Sequence, residues 1–384
     1  MSFSVALSGL NAASQNLGVT GNNIANANTI GFKSSRTEFA DVYSQTSYGL
    51  NERSVGSGVR LASVRQSFDQ GGVDFTNRVL DVAVDGKGFL TFANGEQLVY
   101  SRAGNLDTDR NGYVVNAQGN RLQVFPATAT GAIDTGRLSD LQLSTMDNPP
   151  RATTRLDASL NLPAGASPPA TAVFDPTDTS SFNHTTSATI FDSQGTAHTA
   201  ALYFVKTANP NEWQTYTAIG GQVAGAPETV TFDGGGRLVS PASGQITLPA
   251  QALGNGADDL QINIGLRDVS QYGGGFSVNN TMRQDGYTTG RISGLEITPE
   301  GIVQARFTNG QATPLGQIAL TQFANPQGLQ QIGNTAWAES FTSGTAQRGT
   351  AGSSDFGSVQ AGALEASNVD LTAELVNMIT TQRA

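Results

Sequence analysis

Residues 80–100 read LDVAVDGKGFLTFANGEQLVY, and apolar side chains occupy alternate positions along much of this stretch. Two turn signals interrupt the alternation, the pairs Asp85-Gly86 and Asn94-Gly95. A period of two is typical of a β-strand with one buried face, and Asn-Gly between two such runs is a strong hairpin signal. The stretch therefore predicts antiparallel β structure.

The same alternation of apolar residues, interrupted by turn signals, recurs near the C-terminal end of the chain. Leu295 and Ile297 precede the turn at 298–301, and a further alternating run leads to Asn309-Gly310. We interpret residues 71–145 and 285–360 as two halves of one outer β domain. Residues 146–284 begin with a Pro-rich loop and contain their own strand pairs, so we expect a second β domain inserted into the first.

The two ends of the chain have helical spacing instead. Apolar residues recur at intervals of three, four and seven, which indicates one apolar stripe on each helix. We predict an N-terminal helix over 1–28, a connecting extended segment over 29–70 and a C-terminal helix over 361–384. The first helix should pair with 364–384 in a coiled-coil-like arrangement. The residues that we expect to pack are Leu7, Leu10, Leu17, Ile24, Leu371, Leu375 and Met378.

Neither terminal helix is expected to be stable in isolation. Gly9, Gly18 and Gly21 each cost about 1 kcal/mol relative to Ala in a helix interior. We expect both ends to become helical against partners and the C-terminal helix to be truncated at Ala384. The alternative is a helical hairpin docked on its own domain, in which the stripe residues fill an intrachain core. The fold class is thus mainly β with α-helical termini.

Composition limits the function. The chain has 384 residues with a formal net charge of −10, and only 14% of them are charged. A nucleic-acid partner is not expected, because a polyanion calls for clustered Lys and Arg. The chain has no cysteine, no secretory signal pattern and no apolar run that could span a bilayer. It therefore stays in the cytosol, or it is exported without a cleavable signal peptide.

Residues 107–118, DTDRNGYVVNAQ, match the opening of a calcium-binding EF-hand loop. That loop needs a bidentate Glu at its twelfth position, where this chain has Gln118, and a helix on each side. The flanks alternate like strands, so a hairpin turn shaped by Asp107 and Asp109 is the favoured interpretation. A calcium-binding extracellular β module remains a distant alternative.

Enzyme signatures are sparse. His184 and His198 are the only histidines, and Asp192 is the nearest acidic residue to the second. A His/Asp site there is the enzymatic alternative, but turn or surface roles are favoured. We predict no catalytic, cofactor or metal site.

Several long motifs together resemble the bacterial flagellar rod and hook family. At the N-terminus, NNIANANTIGFK at 22–33 resembles the family signature. LDVAVDGKGFL at 80–90 and LGQIALTQFANPQGL at 315–329 resemble its shared β domain, and EASNVDLTAELVNMITTQRA at 365–384 resembles its C-terminal signature. The insert has the size found in hook subunits, whereas shorter rod subunits generally lack one. The resemblance therefore favours a hook subunit, with a distal rod subunit as the alternative.

The resemblance implies a structural subunit, not an enzyme, that polymerises into a hollow helical tube joining the motor's rod to the filament. The terminal helices would line the channel. Expected partners are further copies of the chain, the rod, the hook cap, the hook-filament junction proteins and the export apparatus. The expected location is extracellular, in the flagellar hook and basal body, without membrane insertion.

Overall fold

The computed structural model describes residues 2–42, 58–143, 147–279, 282–353 and 355–383. Parts of the predicted segments lie outside the described residues, among them the middle of the 29–70 connection, the boundary at 145–146, and the terminal Met1 and Ala384. In the part of the chain that the structure describes, neither α-helix is long and apolar enough to cross a membrane.

Within those ranges the chain forms a helix at each end and strands between them. In chain order the first elements are α1 (Ser2–Ala25), β1 (Ser35–Asp41), β2 (Val59–Gln66), β3 (Val73–Phe75), β4 (Val82–Asp85), β5 (Phe89–Asn94), β6 (Gln97–Ser101), β7 (Asp107–Thr108), β8 (Val114–Val115), β9 (Arg121–Pro126) and β10 (Ser139–Asp140). The next are β11 (Arg155–Pro163), β12 (His184–Phe191), β13 (Ala197–Lys206), β14 (Glu212–Ile219), β15 (Gln222–Val223), β16 (Glu228–Phe232), β17 (Leu238–Ser240), β18 (Gln245–Thr247), β19 (Asn263–Tyr272), β20 (Ser277–Val278) and β21 (Arg283–Gln284). The last are β22 (Ile292–Ile297), β23 (Ile302–Phe307), β24 (Ala312–Gln322), a 3-10 helix (Pro326–Gly328), β25 (Gln330–Gly333), β26 (Ala336–Ala338), β27 (Gln347–Thr350), β28 (Ser358–Ala361), β29 (Ala363–Glu365) and α2 (Leu371–Arg383).

The chain divides into two compact units. Unit 1 comprises Met1–Thr145, Ser293–Arg306 and Ala312–Ala384, and unit 2 comprises Met146–Ile292 and Phe307–Gln311. The prediction of a mainly β chain with α-helical termini is confirmed.

Unit 1 is built on a 12-stranded sheet. Its main path runs β22-β23-β24-β9-β5-β6-β26-β25. Strands β8, β10 and β27 pair with members of that path, and β7 pairs with β8. Helix α1 packs on the separate ribbon of β1 and β2. Strand β5 buries both of its faces: Leu90 and Phe92 enter one apolar core, while Phe89 enters a second core with Tyr100 and Trp337. Burial on both faces explains why its apolar run is nearly continuous.

The two turn signals in residues 80–100 have different outcomes. At Asn94-Gly95 the strands β5 and β6 form the expected hairpin, with Asn94 paired to Gln97. The chain also turns after Asp85, where Gly86 has a positive φ of 105°. However, β4 pairs with β28 from the C-terminal part of the chain rather than with β5. Pairing with a distant strand is a tertiary effect that local turn chemistry does not encode.

Unit 2 consists of two sheets around one core. The first runs β18-β19-β11-β20, with β21 also on β11, and the second runs β12-β13-β14-β16-β17, with β15 on β14. Strands β11 and β19 are parallel, unlike the other pairs in these two sheets. Side chains from both sheets share the buried core, as expected for a β-sandwich; they include Leu156, Leu160, Leu202, Phe204, Trp213, Ile264 and Leu266.

Candidate functional site: the terminal helices and their anchor

Helix α1 turns a small and polar face toward the rest of its own unit. Ala12, Thr20 and Asn23 are buried there. The Asn23 side chain accepts a hydrogen bond from the main-chain N–H of Ser35 (2.9 Å) and donates one to its carbonyl oxygen (2.8 Å). It also donates to the Glu374 carboxylate on α2 at 2.9 Å. One asparagine thus joins α1 to β1 and to α2.

A second asparagine repeats this role two helical turns earlier. Asn16 donates to the Thr381 hydroxyl on α2 at 3.0 Å and accepts a hydrogen bond from the Thr37 hydroxyl on β1 at 2.5 Å. Residues seven apart lie on the same face of a helix. Polar side chains at such positions specify register at some cost in stability. The apolar pattern of the sequence does not reveal this role, although the seven-residue spacing of Asn16 and Asn23 is a usable signal.

The apolar residues of the helices lie elsewhere. Leu7, Leu10, Leu371 and Leu375 are exposed, with Leu10 at 67%, and Leu17, Ile24 and Met378 are only partly buried. None of the seven predicted packing residues is therefore buried in the single chain. Phe3, Val376 and Ile379 are exposed as well. We call the seven predicted residues, together with these three, the open helix face.

A buried group of three charges lies where both helices join the β structure of unit 1. Lys33 Nζ is 2.6 Å from Glu365 Oε1, and an Arg102 guanidinium nitrogen is 3.1 Å from Glu365 Oε2. The side chains of Lys33 and Glu365 are fully buried, and that of Arg102 is 5% exposed. We call this group the Glu365 anchor. Lys33 follows α1, Arg102 follows β6, and Glu365 ends β29 shortly before α2.

Because Lys33 and Arg102 are buried, their charged forms are stabilised by ion pairs and hydrogen bonds within the protein rather than by water. Desolvation lowers the pKa of Lys33, and the nearby Glu365 carboxylate opposes that effect. Burial also lowers the pKa of Arg102, again against the attraction of Glu365. Since one carboxylate serves two cations, carbonyl oxygens supply further acceptors. Lys33 donates to Asp69 (2.7 Å), and Arg102 donates to Val84 (3.2 Å) and Gly86 (2.7 Å).

Main-chain contacts extend the anchor into both terminal segments. Gly31 N–H donates to the Glu365 carbonyl at 2.8 Å. The Asn368 side chain accepts from Ser34 N–H (2.7 Å) and donates to the carbonyls of Ser67 and Asp69 (2.9 and 3.0 Å). Gly31 has a φ of +67°, and a Cβ there would lie 2.5 Å from the main-chain nitrogen of Ala103. Only glycine allows this approach, which accounts for the glycine in NTIGFK.

The EF-hand-like loop is a hairpin turn. Strands β7 and β8 on its two sides pair antiparallel. The Asp109 carboxylate accepts hydrogen bonds from the N–H groups of Asn111 and Tyr113, both at 2.8 Å, and Gly112 has a φ of +82°. The carboxylate therefore holds the bend. No group of three or more His, Cys, Asp or Glu side chains among the described residues could hold a metal ion.

The His/Asp pair of unit 2 stabilises a turn of the same kind. Asp192 is fully buried and accepts from the N–H groups of Gln194 (2.9 Å) and Thr196 (2.8 Å), like Asp109 in its own turn. Its other oxygen is 2.9 Å from His198 Nε2 and accepts from Asn255 at 2.6 Å. Burial alone would raise the pKa of Asp192, but these hydrogen bonds outweigh it and lower the pKa to about 2. His184 lies apart, stacked on Phe276 at 4.5 Å.

A groove of about 610 Å³ lies in unit 1 between the end of α1 and the sheet. Its lining is mostly amide and aliphatic side chains, including Asn22, Asn26 and Gln118. Lys33 is its one ionisable residue, and that ammonium is already paired with Glu365. The groove therefore does not bring together the two titratable groups that acid–base catalysis uses.

Family models match along the chain in the order of its elements. "Flagella basal body rod protein" matches residues 3–33, and "Flagellar hook protein FlgE/F/G D1 domain" matches 83–166. "Flagellar basal body protein FlaE D2 domain" matches 155–287, and "Flagellar basal body rod FlgEFG protein C-terminal" matches 360–384. These matches and the helical ends define the class as an axial structural protein of the flagellum.

Full-length relatives narrow the class. The chain is 39% identical to the flagellar hook proteins FlgE of Escherichia coli K12 and of Salmonella typhimurium LT2, over 100% of this chain and 94% of each relative. The chain belongs to the flagellar hook protein family, a family of structural proteins rather than of enzymes. The crystal structure of Helicobacter pylori FlgE2 has the same fold, with a TM-score of 0.57 and 15% identity over 76% of this chain and 100% of that chain.

The first prediction concerns the Glu365 anchor. Glu365→Gln leaves two buried cations without their anion, and breaking a buried ion pair costs about 3–5 kcal/mol. We expect that loss in the unfolding free energy of unit 1, measured by urea titration of Trp337 fluorescence in a Trp213→Phe background. Glu38→Gln is the control, because Glu38 pairs with Arg36 and Arg65 at the surface and should matter little. Equal effects of the two substitutions would contradict the account.

The second prediction concerns Asp192. Its folded pKa of about 2 lies below the unfolded value of about 3.9, so the ionised form stabilises unit 2 above that value. This stability should be lost as the pH falls from about 4 through about 2. Trp213 fluorescence in a Trp337→Phe background, with urea titrations across that range, measures the loss. Asp192→Asn should flatten the pH dependence, whereas the exposed Asp258→Asn should not; identical profiles for wild type and Asp192→Asn would refute it.

Proposed function

We propose that the chain is the repeating subunit of the flagellar hook, a hollow and flexible tube that transmits torque from the rod to the filament. Membership of the hook protein family supports polymerisation into the hook. The proposed location is outside the cell, in the hook of the flagellum, after export without a cleavable signal peptide. The proposed partners besides further copies are the rod, the hook cap, the hook-filament junction proteins and the export apparatus.

The open helix face is the observation that carries the proposal. Seven of its ten apolar side chains are exposed in the single chain, and Phe3 and Leu10 are 81% and 67% exposed. A soluble chain that leaves such a stripe uncovered has a partner surface for it. Neighbouring copies offer the same heptad-spaced side chains, so knobs-into-holes packing between helices of different subunits would bury them.

The two faces of α1 would then have separate roles. Asn16 and Asn23 hold the helix in register with β1 and α2 of its own chain. Leu7, Leu10, Leu17, Ile24, Leu371, Leu375 and Met378 pack between subunits in the inner layer of the tube. Contacts that join different surfaces of successive copies generate a helical polymer when the rotation between copies does not close a ring.

Polymerisation of variants tests this proposal. Leu10→Gln removes an apolar side chain whose burial is worth about 1.5–3 kcal/mol, so the critical concentration should rise about 10- to 100-fold. Sedimentation of polymer, with electron microscopy of the pellet, measures it. Asn11→Gln is the control, because Asn11 is also exposed on α1 but is already polar.

The polymerisation of these two variants decides whether the open helix face is the subunit interface. The proposal predicts tubes at wild-type concentrations for Asn11→Gln and not for Leu10→Gln, with unchanged unfolding of both monomers. If Leu10→Gln polymerises as readily as the control, the open helix face is not the subunit interface.

A further inference from the structure

The sequence contains four Asn-Gly pairs, at 94–95, 111–112, 255–256 and 309–310. This dipeptide is chemically labile, because the main-chain nitrogen of the glycine can attack the side-chain amide of the asparagine before it. Glycine has no side chain to hinder that attack. Since the reacting groups belong to neighbouring residues, the attack is intramolecular and closes a five-membered ring. Local hydrogen bonds therefore decide which of the four pairs can reach the reactive geometry.

In two of the pairs a hydrogen bond holds the attacking nitrogen. Gly112 N–H donates to the Asp109 carbonyl at 3.0 Å, and Gly310 N–H donates to the Phe307 carbonyl at 3.0 Å. Each glycine nitrogen is thus directed at a main-chain oxygen inside its own turn. The turn must open before that nitrogen can approach the asparagine side chain.

In two of the pairs hydrogen bonds hold the asparagine side chain. Asn255 donates to the Asp192 carboxylate at 2.6 Å and accepts from Ala257 N–H at 3.1 Å. Both ends of the Asn309 amide are likewise bonded, its nitrogen to a main-chain carbonyl at 2.8 Å and its oxygen to a main-chain N–H at 3.1 Å. A side chain bonded at both ends cannot turn toward the next nitrogen without losing those contacts.

The pair at 94–95 has neither kind of protection. Asn94 ends β5, and Gly95 begins the turn that leads to β6. Among the described residues, neither the Asn94 side chain nor the Gly95 N–H makes a hydrogen bond. Both residues are exposed, so water and hydroxide reach them directly. This pair alone of the four can react without first breaking a hydrogen bond.

We infer that Asn94 is a site of spontaneous deamidation in the folded chain. The Gly95 nitrogen loses its proton to hydroxide and bonds to the side-chain carbonyl carbon of Asn94, and ammonia leaves. Water then opens the resulting succinimide ring at either of its carbonyl carbons. The products are aspartate and isoaspartate, and the net change is a gain of water and a loss of ammonia. The reaction requires no enzyme, metal or cofactor.

The reaction changes the tip of the β5–β6 hairpin. Either product adds one negative charge beside the exposed Glu96. Isoaspartate also inserts an extra carbon into the main chain, which displaces the pairing of Asn94 with Gln97. Leu90 and Phe92 lie further along β5 in the buried core, so the change stays at the tip. A chain that is not replaced would accumulate this charge with time.

Peptide mapping by mass spectrometry tests the site. The folded chain is incubated at mildly alkaline pH, and the conversion of amide to carboxylate is followed at all four pairs. Asn94 should convert at least about 5-fold faster than Asn111, Asn255 and Asn309, because those pairs must first break hydrogen bonds. In the urea-unfolded chain the four rates should become similar, since the protecting contacts are lost.

The substitution Asn94→Gln provides the matched control. Ring closure from glutamine is slower, so the acidic species that ion exchange detects in the aged wild-type chain should be largely absent from the variant. Urea unfolding of the fresh chains should be unchanged, because the Asn94 side chain makes no hydrogen bond in the described residues. Equal rates at the four pairs of the folded chain, or a lead of Asn94 that persists undiminished in urea, would overturn the inference.

Discussion

The carboxylate of Glu365, shared by two buried cations, is the constraint on which the ends of the chain depend. Taking three charges out of water is unfavourable unless each keeps its partners. Lys33 lies in the segment after α1, Arg102 directly follows β6, and Glu365 ends β29 before α2. All three segments must therefore be in place together. This requirement fixes where both terminal helices leave the β structure of unit 1.

The anchor explains how helices with weak intrinsic stability can still be positioned. Glycines make α1 a poor autonomous helix, and its own chain covers only the face that carries Asn16 and Asn23. The hydrogen bonds of these two asparagines set the orientation and register of α1 against β1 and α2, but they bury little apolar surface. In the proposed assembly, neighbouring subunits would supply the apolar stabilisation that α1 lacks in the single chain.

The sequence predicted those features that depend on local chemistry. The Asn94-Gly95 hairpin and the Asp109 turn follow from short-range rules, and the terminal stripes follow from periodicity. The pairing of β4 with β28 could not be predicted, because the local sequence does not indicate which distant strand will pair with β4. The partners of Lys33 also stayed hidden: NTIGFK suggested a family, but its single charge gave no sign of burial against Glu365 and Arg102.

Hydrogen exchange along the terminal segments of monomer and polymer tests the central claim most directly. Amides of 30–34 and 364–368 surround the Glu365 anchor, so they should be protected in both states. Amides in the first half of α1 should exchange quickly in the monomer and become protected on polymerisation, because that helix lacks apolar cover in the single chain. Protection of α1 in the monomer equal to that of 364–368, and unchanged in the polymer, would contradict the account.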